Sequence, residues 1–454
     1  MTDTSQAAVV TQGIQFGPKK LNLWMEPGVS RLNVRTLLFG SFFGIAMMSF
    51  INTCQAYLFE EVLMIPQNQQ GVVAGNMTFY SEIVVILSIG LIGAMSDKIG
   101  RKPLWVAAFV IFAVGYFLYP LARTVDELTL YRVFFALGLA TNTAMLPSVA
   151  NDYPAEKSRG KMIAVCFTLN GLGFILIMAP IQQLLGFYEN MTGGDAALTA
   201  KYWIWTASAI CLFVSTGLAF GLKSGAPAQL KKKEGFLASL KIGLRAGKRL
   251  RVALAYTAAI VARGDMAVLS TFFVLWLTQV GINAGMDTAD AARRGLLFYI
   301  LIQAFALCWL PILGLILDRI DRVLGLAMAM VLAGVGYFSL FMLDDPLGPM
   351  MWVCAVLVGI GEMSANLASL TLIGSEAPVK GRGAVIGLFS LCGAVGILLV
   401  AKVGGTLSAS FGPVAPFVLV ASANVIVFVL ALLAWKFGAK PLPGAGGSGG
   451  IAIH

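Results

Sequence analysis

Six charged side chains lie deep inside long apolar stretches of this chain. Three are acids and three are bases: Glu82, Asp265, Glu362, Arg132, Arg263 and Lys402. A charge near the middle of a lipid bilayer costs about 2.5 to 3.5 kcal/mol even on the mildest scale, so each one needs a partner or a function. In such a place a carboxyl group can carry protons and an arginine can hold an anion.

The three acids are candidates for proton coupling. A carboxyl group beside a low-dielectric wall favours its protonated form, and a wetted cavity or an approaching cation favours the ionised form. Glu362 is the first choice because it shares a helical face with small and polar residues, with Asp265 second and Glu82 third. The alternative is that each acid is permanently paired and only holds helices together.

Arg263 and Asp265 are two positions apart, which places them about 200° apart around a helix. We therefore expect Arg263 to face a wet cavity and Asp265 to face a neighbouring helix. Arg263 is always charged, so it is either a permanent counter-ion or a contact for an anionic solute. Polar stripes on other helices predict further solute contacts: Arg132, Asn52, Gln55, Asn142 and Asn366. Arg132 and Lys402 could instead extend to water at the span ends.

The elements that carry these residues are predicted to be membrane spans. The chain has 454 residues, of which 58% are hydrophobic and 12% are charged, whereas a soluble domain has about 25% charged residues. Apolar stretches of about 20 residues are long enough to cross a bilayer as helices. Twelve occur, numbered as spans 1 to 12: 36–58, 71–95, 104–122, 128–150, 162–186, 202–222, 252–279, 296–317, 323–343, 350–373, 384–407 and 414–435.

Basic residues predict the orientation of the spans. With the N-terminus in the cytoplasm, 25 of the 32 Lys and Arg residues lie in cytoplasmic segments and four lie outside. Positive charge collects on the cytoplasmic side of membrane proteins, so both termini are predicted to be cytoplasmic. We call this side of the bundle the basic end and the opposite side, whose loops are acidic, the acidic end. The net charge of +10 therefore indicates membrane topology and not a nucleic-acid partner.

A basic linker divides the chain into two halves of six spans. It carries nine Lys and Arg against one Glu. Within it Phe236, Leu240 and Leu244 recur every four residues, which favours a helix lying on the anionic inner leaflet. The predicted organisation is a cytoplasmic tail 1–35, a bundle 36–222, the linker 223–251, a bundle 252–435 and a tail 436–454.

The two halves repeat each other. The segment GAMSDKIGRK at 93–102 returns as GLILDRIDR at 314–322, and Asp152-x-Pro with Arg-Gly after it returns as Glu376-x-Pro with Arg-Gly. Repeats at a steady offset imply duplication of a six-helix unit. An apolar span that ends in G-x-x-x-D-(K/R)-x-G-R-(K/R) resembles the loop between helices 2 and 3 of the major facilitator superfamily of secondary transporters. Twelve spans and a basic central loop fit the same family.

The resemblance implies an all-α membrane protein with the major facilitator fold: twelve transmembrane helices in two pseudo-symmetric six-helix bundles. It implies that helices 1, 4, 7 and 10 line a central cavity, and that the loop motifs gate it, with Asp97 facing the start of helix 11. The gating residues that carry over by position are Gly93, Asp97, Arg101, Asp318 and Arg322. Asp321 stands where the pattern has glycine, so the second motif departs from the family.

The predicted function is proton-coupled symport of a small organic, anionic solute by alternating access, carried out by a monomer in the plasma membrane (the bacterial inner membrane). Two alternatives are proton-driven efflux of drugs or lipophilic compounds, which the Arg132 motif favours, and a nutrient sensor that does not transport. No enzyme, cofactor or metal site is predicted. The six cysteines lie in apolar spans without a CxxC pair, the only histidine is His454, and the phosphate-binding pattern G-x-x-x-x-G-K-(S/T) does not occur.

Overall fold

The computed structural model describes residues 14–17, 23–225, 236–378 and 381–437. These residues contain twelve helices long and apolar enough to cross a membrane, which confirms the predicted number. They keep the numbers of the predicted spans: Arg31–Val62, Gln67–Ile99, Arg101–Leu121, Val125–Asp152, Glu156–Thr192, Ala196–Gly221, Leu250–Asn283, Thr288–Leu317, Arg322–Phe341, Met350–Glu376, Arg382–Phe411 and Ala415–Lys436.

Most helices run several residues past the apolar stretches, because capping groups and not the loss of hydrophobicity end them. Thr124 accepts a hydrogen bond from the backbone N–H of Glu127 at the start of span 4 (3.2 Å). Asp195 accepts one from Leu198 at the start of span 6 (2.9 Å). Gly100, with a φ of 95°, ends span 2 in a conformation that permits the tight turn into span 3.

The two halves repeat the same helix crossings. In the first half, a Cβ atom added to Gly173 of span 5 would lie 1.7 Å from the backbone oxygen of Phe42 in span 1. In the second half, a Cβ added to Gly396 of span 11 would lie 2.0 Å from the backbone oxygen of Ile260 in span 7. Only glycine permits backbones to approach so closely. The duplication seen in the sequence is therefore a duplication of packing.

Two small elements lie outside the spans at the basic end. Strands β1 (Gln15–Phe16) and β2 (Leu23–Trp24) pair as an antiparallel hairpin. The hairpin packs on the loop after span 4, where the backbone N–H of Ala155 donates to the oxygen of Trp24 (2.8 Å). Part of the predicted N-terminal tail is therefore ordered against the first bundle. The C-terminal tail from position 438 onward lies outside the described residues.

The linker helix (Phe236–Ala246) occurs where the sequence predicts a surface helix. It packs against span 11, where a Cβ added to Gly243 would lie 2.9 Å from the Cβ of Leu388. Leu240 is partly buried against the core of the second half, whereas Leu244 is 59% exposed. The apolar stripe expected to face lipid is therefore divided between the protein and the surface.

Candidate functional site

The two halves meet along a seam that is closed at the acidic end. Spans 2 and 11 cross there through small residues. A Cβ added to Gly75 would lie 2.2 Å from the carbonyl oxygen of Ala401, and one added to Gly405 would lie 2.9 Å from the carbonyl oxygen of Gly71. Glycines spaced by four residues let two helices pack backbone against backbone. This crossing closes the seam at the acidic end, and we refer to it below as the gate.

Polar contacts across the seam reinforce the closed gate. The ammonium group of Lys402 on span 11 donates to the side-chain oxygen of Asn76 on span 2 (2.8 Å). Span 7 contains a π-helical turn, Leu269–Phe273, of the kind that often marks functional sites. The side-chain amide of Gln55 on span 1 donates to the backbone oxygen of Thr271 in this turn (3.3 Å). Gln55, predicted as a solute contact, therefore ties the two halves together in this state.

At the basic end, the start of span 11 that the first loop motif is expected to face, positions 379–380, lies outside the described residues. A Cβ added to Gly93 would find no heavy atom within 4 Å, so spans 2 and 11 are apart where the motif predicts a close approach. Arg101 is paired inside its own half, with Asp97 (3.0 Å) and with Asp152 (3.0 Å). The close approach expected at Gly93 is therefore absent among the described residues.

The second motif pairs differently from the first. Arg322 pairs with Asp318 one turn away (3.2 Å). Arg251, at the start of span 7, donates to Asp321 (2.7 Å) and to the buried carboxylate of Glu376 (3.0 Å). Burial raises the pKa of Asp321, but hydrogen bonds from Arg251 and from backbone N–H groups outweigh it, and the pKa is below its usual value. Asp321, which replaces the family's glycine, thus joins an ion-pair cluster within the second half.

Arg263 lies on span 7 beside span 11 and is exposed although it is far from either end of span 7. Its Nη1 atom lies 3.7 Å from the sulfur of Met266. A Cβ added to Gly393 of span 11 would lie 2.6 Å from its Cγ atom. Among the described residues it has no ion pair within 4 Å, and the nearest influence on its charge is Glu82, half-buried on span 2. One cation and one carboxyl group, from opposite halves, are therefore near enough for their charges to interact.

Asp265 and Glu362 are buried inside the second half. Asp265 is 0% exposed, and the side-chain amide of Asn424 on span 12 donates to both of its carboxyl oxygens (2.8 and 3.0 Å). It therefore faces a neighbouring helix, as its spacing from Arg263 predicts. Glu362 is 4% exposed and accepts a hydrogen bond from the amide of Gln303 (3.1 Å). The two charges influence each other, but neither carboxyl group forms an ion pair in the described part of the chain.

The remaining predicted contacts lie partly in the core of the first half. Arg132 is 5% exposed and donates to the side-chain oxygen of Asn52. Asn142 is 1% exposed, its oxygen accepts from the indole of Trp105 (2.8 Å), and its nitrogen contacts a methionine sulfur. Asn142 therefore does not line the cavity in this structure, because its amide is used for packing. Asn366 is half-buried on span 10, and its nitrogen lies 3.3 Å from the sulfur of Met266.

Several residues of the seam and of the ion-pair cluster in the second half were not identified from the sequence. Gly75 and Thr271 carry no charge, and Arg251 was counted only as part of the basic linker. The spacing Gly71-x-x-x-Gly75 was an available signal, since small residues four apart mark helix crossings in membranes. We find no sequence pattern that predicts the π-helical turn at Thr271.

Comparisons with known proteins place this architecture in a family. A model of the Major Facilitator Superfamily matches residues 37–401 and 310–450. The magnetosome protein MamH of Paramagnetospirillum magneticum is 25% identical over 418 residues, which cover 89% of this chain and 93% of the relative. The magnetosome protein MamZ of the same organism is 25% identical over 409 residues, which cover 86% of this chain but 61% of the relative.

Solved structures of low sequence identity share the fold. The nucleoside transporter NupG aligns with a TM-score of 0.68 and 15% identity, covering 90% of this chain and 100% of that one. A bacterial homologue of the human lysosomal transporter Spinster, in an inward-facing and unoccupied conformation, aligns with a TM-score of 0.70 and 14% identity, covering 92% of this chain and 100% of that one. The family model extends over most of the chain, and these alignments span both halves. The chain belongs to the major facilitator superfamily and has the major facilitator fold.

Proposed function

We propose that this transporter moves a small organic anion together with protons, by alternating access between its two halves. The observation that carries the proposal is Arg263, an exposed guanidinium at mid-span without an ion pair among the described residues. A permanent charge at this depth is costly unless an opposite charge joins it. A carboxylate or phosphate fits the planar donors of arginine well, so an anionic solute is the natural partner.

Glu82 supplies the coupling in this proposal. Its carboxyl group lies across the seam from Arg263, close enough for the two charges to interact. When Glu82 is ionised it offsets the charge of Arg263 and competes with the solute. When it is protonated, Arg263 presents its full charge to the anion. Proton binding and anion binding therefore favour each other, which is the requirement for symport.

The buried acids Asp265 and Glu362 are weaker candidates than Glu82 for carrying the coupled proton. The Asn424 amide satisfies both oxygens of Asp265, which suits a role in holding spans 7 and 12 together. Glu362 accepts from Gln303, whose amide can donate to either protonation state of a carboxyl group, so Glu362 is the second candidate for carrying a proton. We propose that Arg132 and Asn142 support the first half and do not contact the solute.

The orientation follows from the positive residues at the basic end. If that end is cytoplasmic in a bacterial inner membrane, the crossing at the acidic end closes the outer side, and we propose that the solute site opens to the cytoplasm. Such a state would release a solute carried inward. The linker helix, with Leu244 and basic side chains exposed beside it, would then rest on the inner leaflet. We propose a monomer, since each half already supplies one side of the cavity.

The proposal is tested by ligand stabilisation followed by transport. A thermal-shift screen of organic anions on the purified chain identifies a solute, because a specific ligand raises the unfolding midpoint as its concentration rises above Kd. We expect Arg263→Met to lose the shift, and Arg319→Met, which removes an exposed arginine at the basic end, to keep it. Equal stabilisation of both variants by every anionic ligand would refute the anion site.

Transport of the identified anion separates symport from the alternative. In proteoliposomes with a more acidic exterior, symport predicts accumulation inside. Proton antiport predicts expulsion of a preloaded compound under the gradient of the same sign, and a sensor predicts neither. Glu82→Gln should bind the anion but lose its accumulation, because an amide cannot release a proton.

A further inference from the structure

A second unpaired arginine lies outside the cavity, at Arg132. This residue is on span 4, is 5% exposed, and lies among spans 1, 3 and 4 of the first half. One nitrogen, Nη2, donates to the side-chain oxygen of Asn52. The guanidinium forms no ion pair within 4 Å in the part of the chain that the structure describes. An amide oxygen offers a dipole but no charge, so a full positive charge is buried there without an opposite one.

Two buried polar groups beside each other also lack a hydrogen-bond partner of good geometry. The Nη1 atom of Arg132 is buried and has no partner among the described residues, and the same is true of the hydroxyl group of Tyr119. Tyr119 lies at the end of span 3, next to the guanidinium, and is 0% exposed. Buried donors are nearly always satisfied, by protein or by a bound species. The tyrosine oxygen can accept from the guanidinium, but the hydroxyl proton then still lacks an acceptor and the positive charge lacks a counter-charge.

We propose that Arg132, Tyr119 and Asn52 form a binding site for one small monovalent inorganic anion of the halide class, such as chloride. The anion would accept hydrogen bonds from Nη1 of Arg132 and from the hydroxyl of Tyr119, and it would neutralise the guanidinium. A water molecule would accept these hydrogen bonds but would not neutralise the positive charge of the guanidinium. Cys54 and Tyr116 beside the site are 0% exposed, which suits a single-atom anion better than an organic one.

This site is distinct from the solute site proposed at Arg263. Arg132 and its neighbours Asn52 and Tyr119 all belong to the first half. The anion would be a resident counter-ion that stabilises the first bundle, and it would bind whether or not the protein transports an organic anion. Failure of one proposal leaves the other standing.

The test is a chloride titration of the purified full-length protein. Sodium chloride replaces sodium gluconate at constant ionic strength, and the thermal unfolding midpoint is measured. We expect a saturable rise with chloride in the wild type. Tyr119→Phe removes one donor to the anion and should raise the half-saturating chloride concentration about tenfold. Arg132→Met should remove the dependence, and Arg263→Met, the matched control in the cavity, should keep it.

The outcomes separate a bound anion from a general salt effect. Equal midpoints in chloride and gluconate for the wild type would overturn the proposal, and so would a wild-type response in Tyr119→Phe. If Arg132→Met does not fold, Tyr119→Phe still tests the anion site. Phenylalanine has nearly the same volume as tyrosine, so this variant is expected to fold. A response that is lost in Arg263→Met but kept in Tyr119→Phe would place the anion in the cavity and would also overturn it.

Discussion

Replacing Gly75 by alanine should open the gate at the acidic end. The added Cβ would lie 2.2 Å from the carbonyl oxygen of Ala401, whereas ordinary contact begins at 3.4 Å, so spans 2 and 11 must separate by about 1 Å there. The obstacle is backbone, which cannot rotate away as a side chain can. Overpacking of this kind costs about 1 to 3 kcal/mol. The strain exists only when this end is closed, so it acts on the conformational equilibrium and not on folding alone.

The expected shift follows from that cost. Since 1.4 kcal/mol is a factor of ten, the ratio of acidic-end-closed to acidic-end-open molecules should fall about 5- to 150-fold. Gly93→Ala is the matched control on the same helix, because its added Cβ meets no heavy atom within 4 Å in this state. We expect Gly93→Ala to leave the acidic end closed.

Distances between spin labels can measure this shift. Asn190→Cys on span 5 and Ser410→Cys on span 11 place labels at exposed positions of opposite halves at the acidic end. The background needs Cys308 and Cys392 replaced by serine, since the other four native cysteines are buried. Gly75→Ala should move population from the short to the long distance. Distance distributions that are identical in wild type and Gly75→Ala would refute the assignment of this crossing as the gate.

Three further predictions concern the second half. Arg251→Met leaves the buried carboxylate of Glu376 unpaired and should lower the free energy of unfolding by about 3 kcal/mol, measured by denaturant unfolding in detergent. The folded-state pKa of Asp321 is lowered, so its stabilising effect is complete above its unfolded value near 3.8 and is lost as the pH falls through the folded value. Asp321→Asn should therefore reduce the fall in unfolding midpoint below about pH 4. Asn424→Leu removes the only side chain that donates to the carboxyl group of Asp265 among the described residues and should cost about 1 to 3 kcal/mol by the same unfolding measurement.

A shared control tests whether these effects are specific. Arg319→Met removes an exposed arginine at the same end of the bundle and should change stability by less than about 0.5 kcal/mol. If Arg251→Met is no worse than Arg319→Met, the buried cluster contributes nothing. An unchanged acid transition in Asp321→Asn would show that other groups set it. Wild-type stability of Asn424→Leu would mean that Asp265 is protonated and needs no donor.

The fold could be predicted from the sequence because lipid leaves few solutions. A chain in a bilayer must satisfy its backbone within helices, so apolar stretches of span length become spans. The steady offset between the halves then gives the pseudo-symmetry that Gly173 and Gly396 show as equivalent crossings. The helix ends were less accurate, because capping by residues such as Thr124 and Asp195 extends helices beyond the apolar core.

The site was predictable only in part. The spacing of Arg263 and Asp265 indicated their different surroundings because helical geometry alone determines it. The pairing of Arg251 with Asp321 and Glu376 joins residues up to 125 positions apart, and no periodicity encodes such contacts. The sequence also does not state which conformation is present. Gly93 was predicted in a close approach that the described residues do not show, while Gly75 forms a close crossing that was not predicted.

Proton movement that accompanies the anion tests the central claim most directly. Proteoliposomes that contain a pH-sensitive dye receive the anion identified by thermal shift, with no pH gradient imposed at the start. The account predicts that the lumen of wild-type vesicles acidifies as the anion enters, and that Glu82→Gln and Arg263→Met vesicles do not acidify. Entry of the anion into wild-type vesicles without acidification of the lumen would contradict proton-coupled symport.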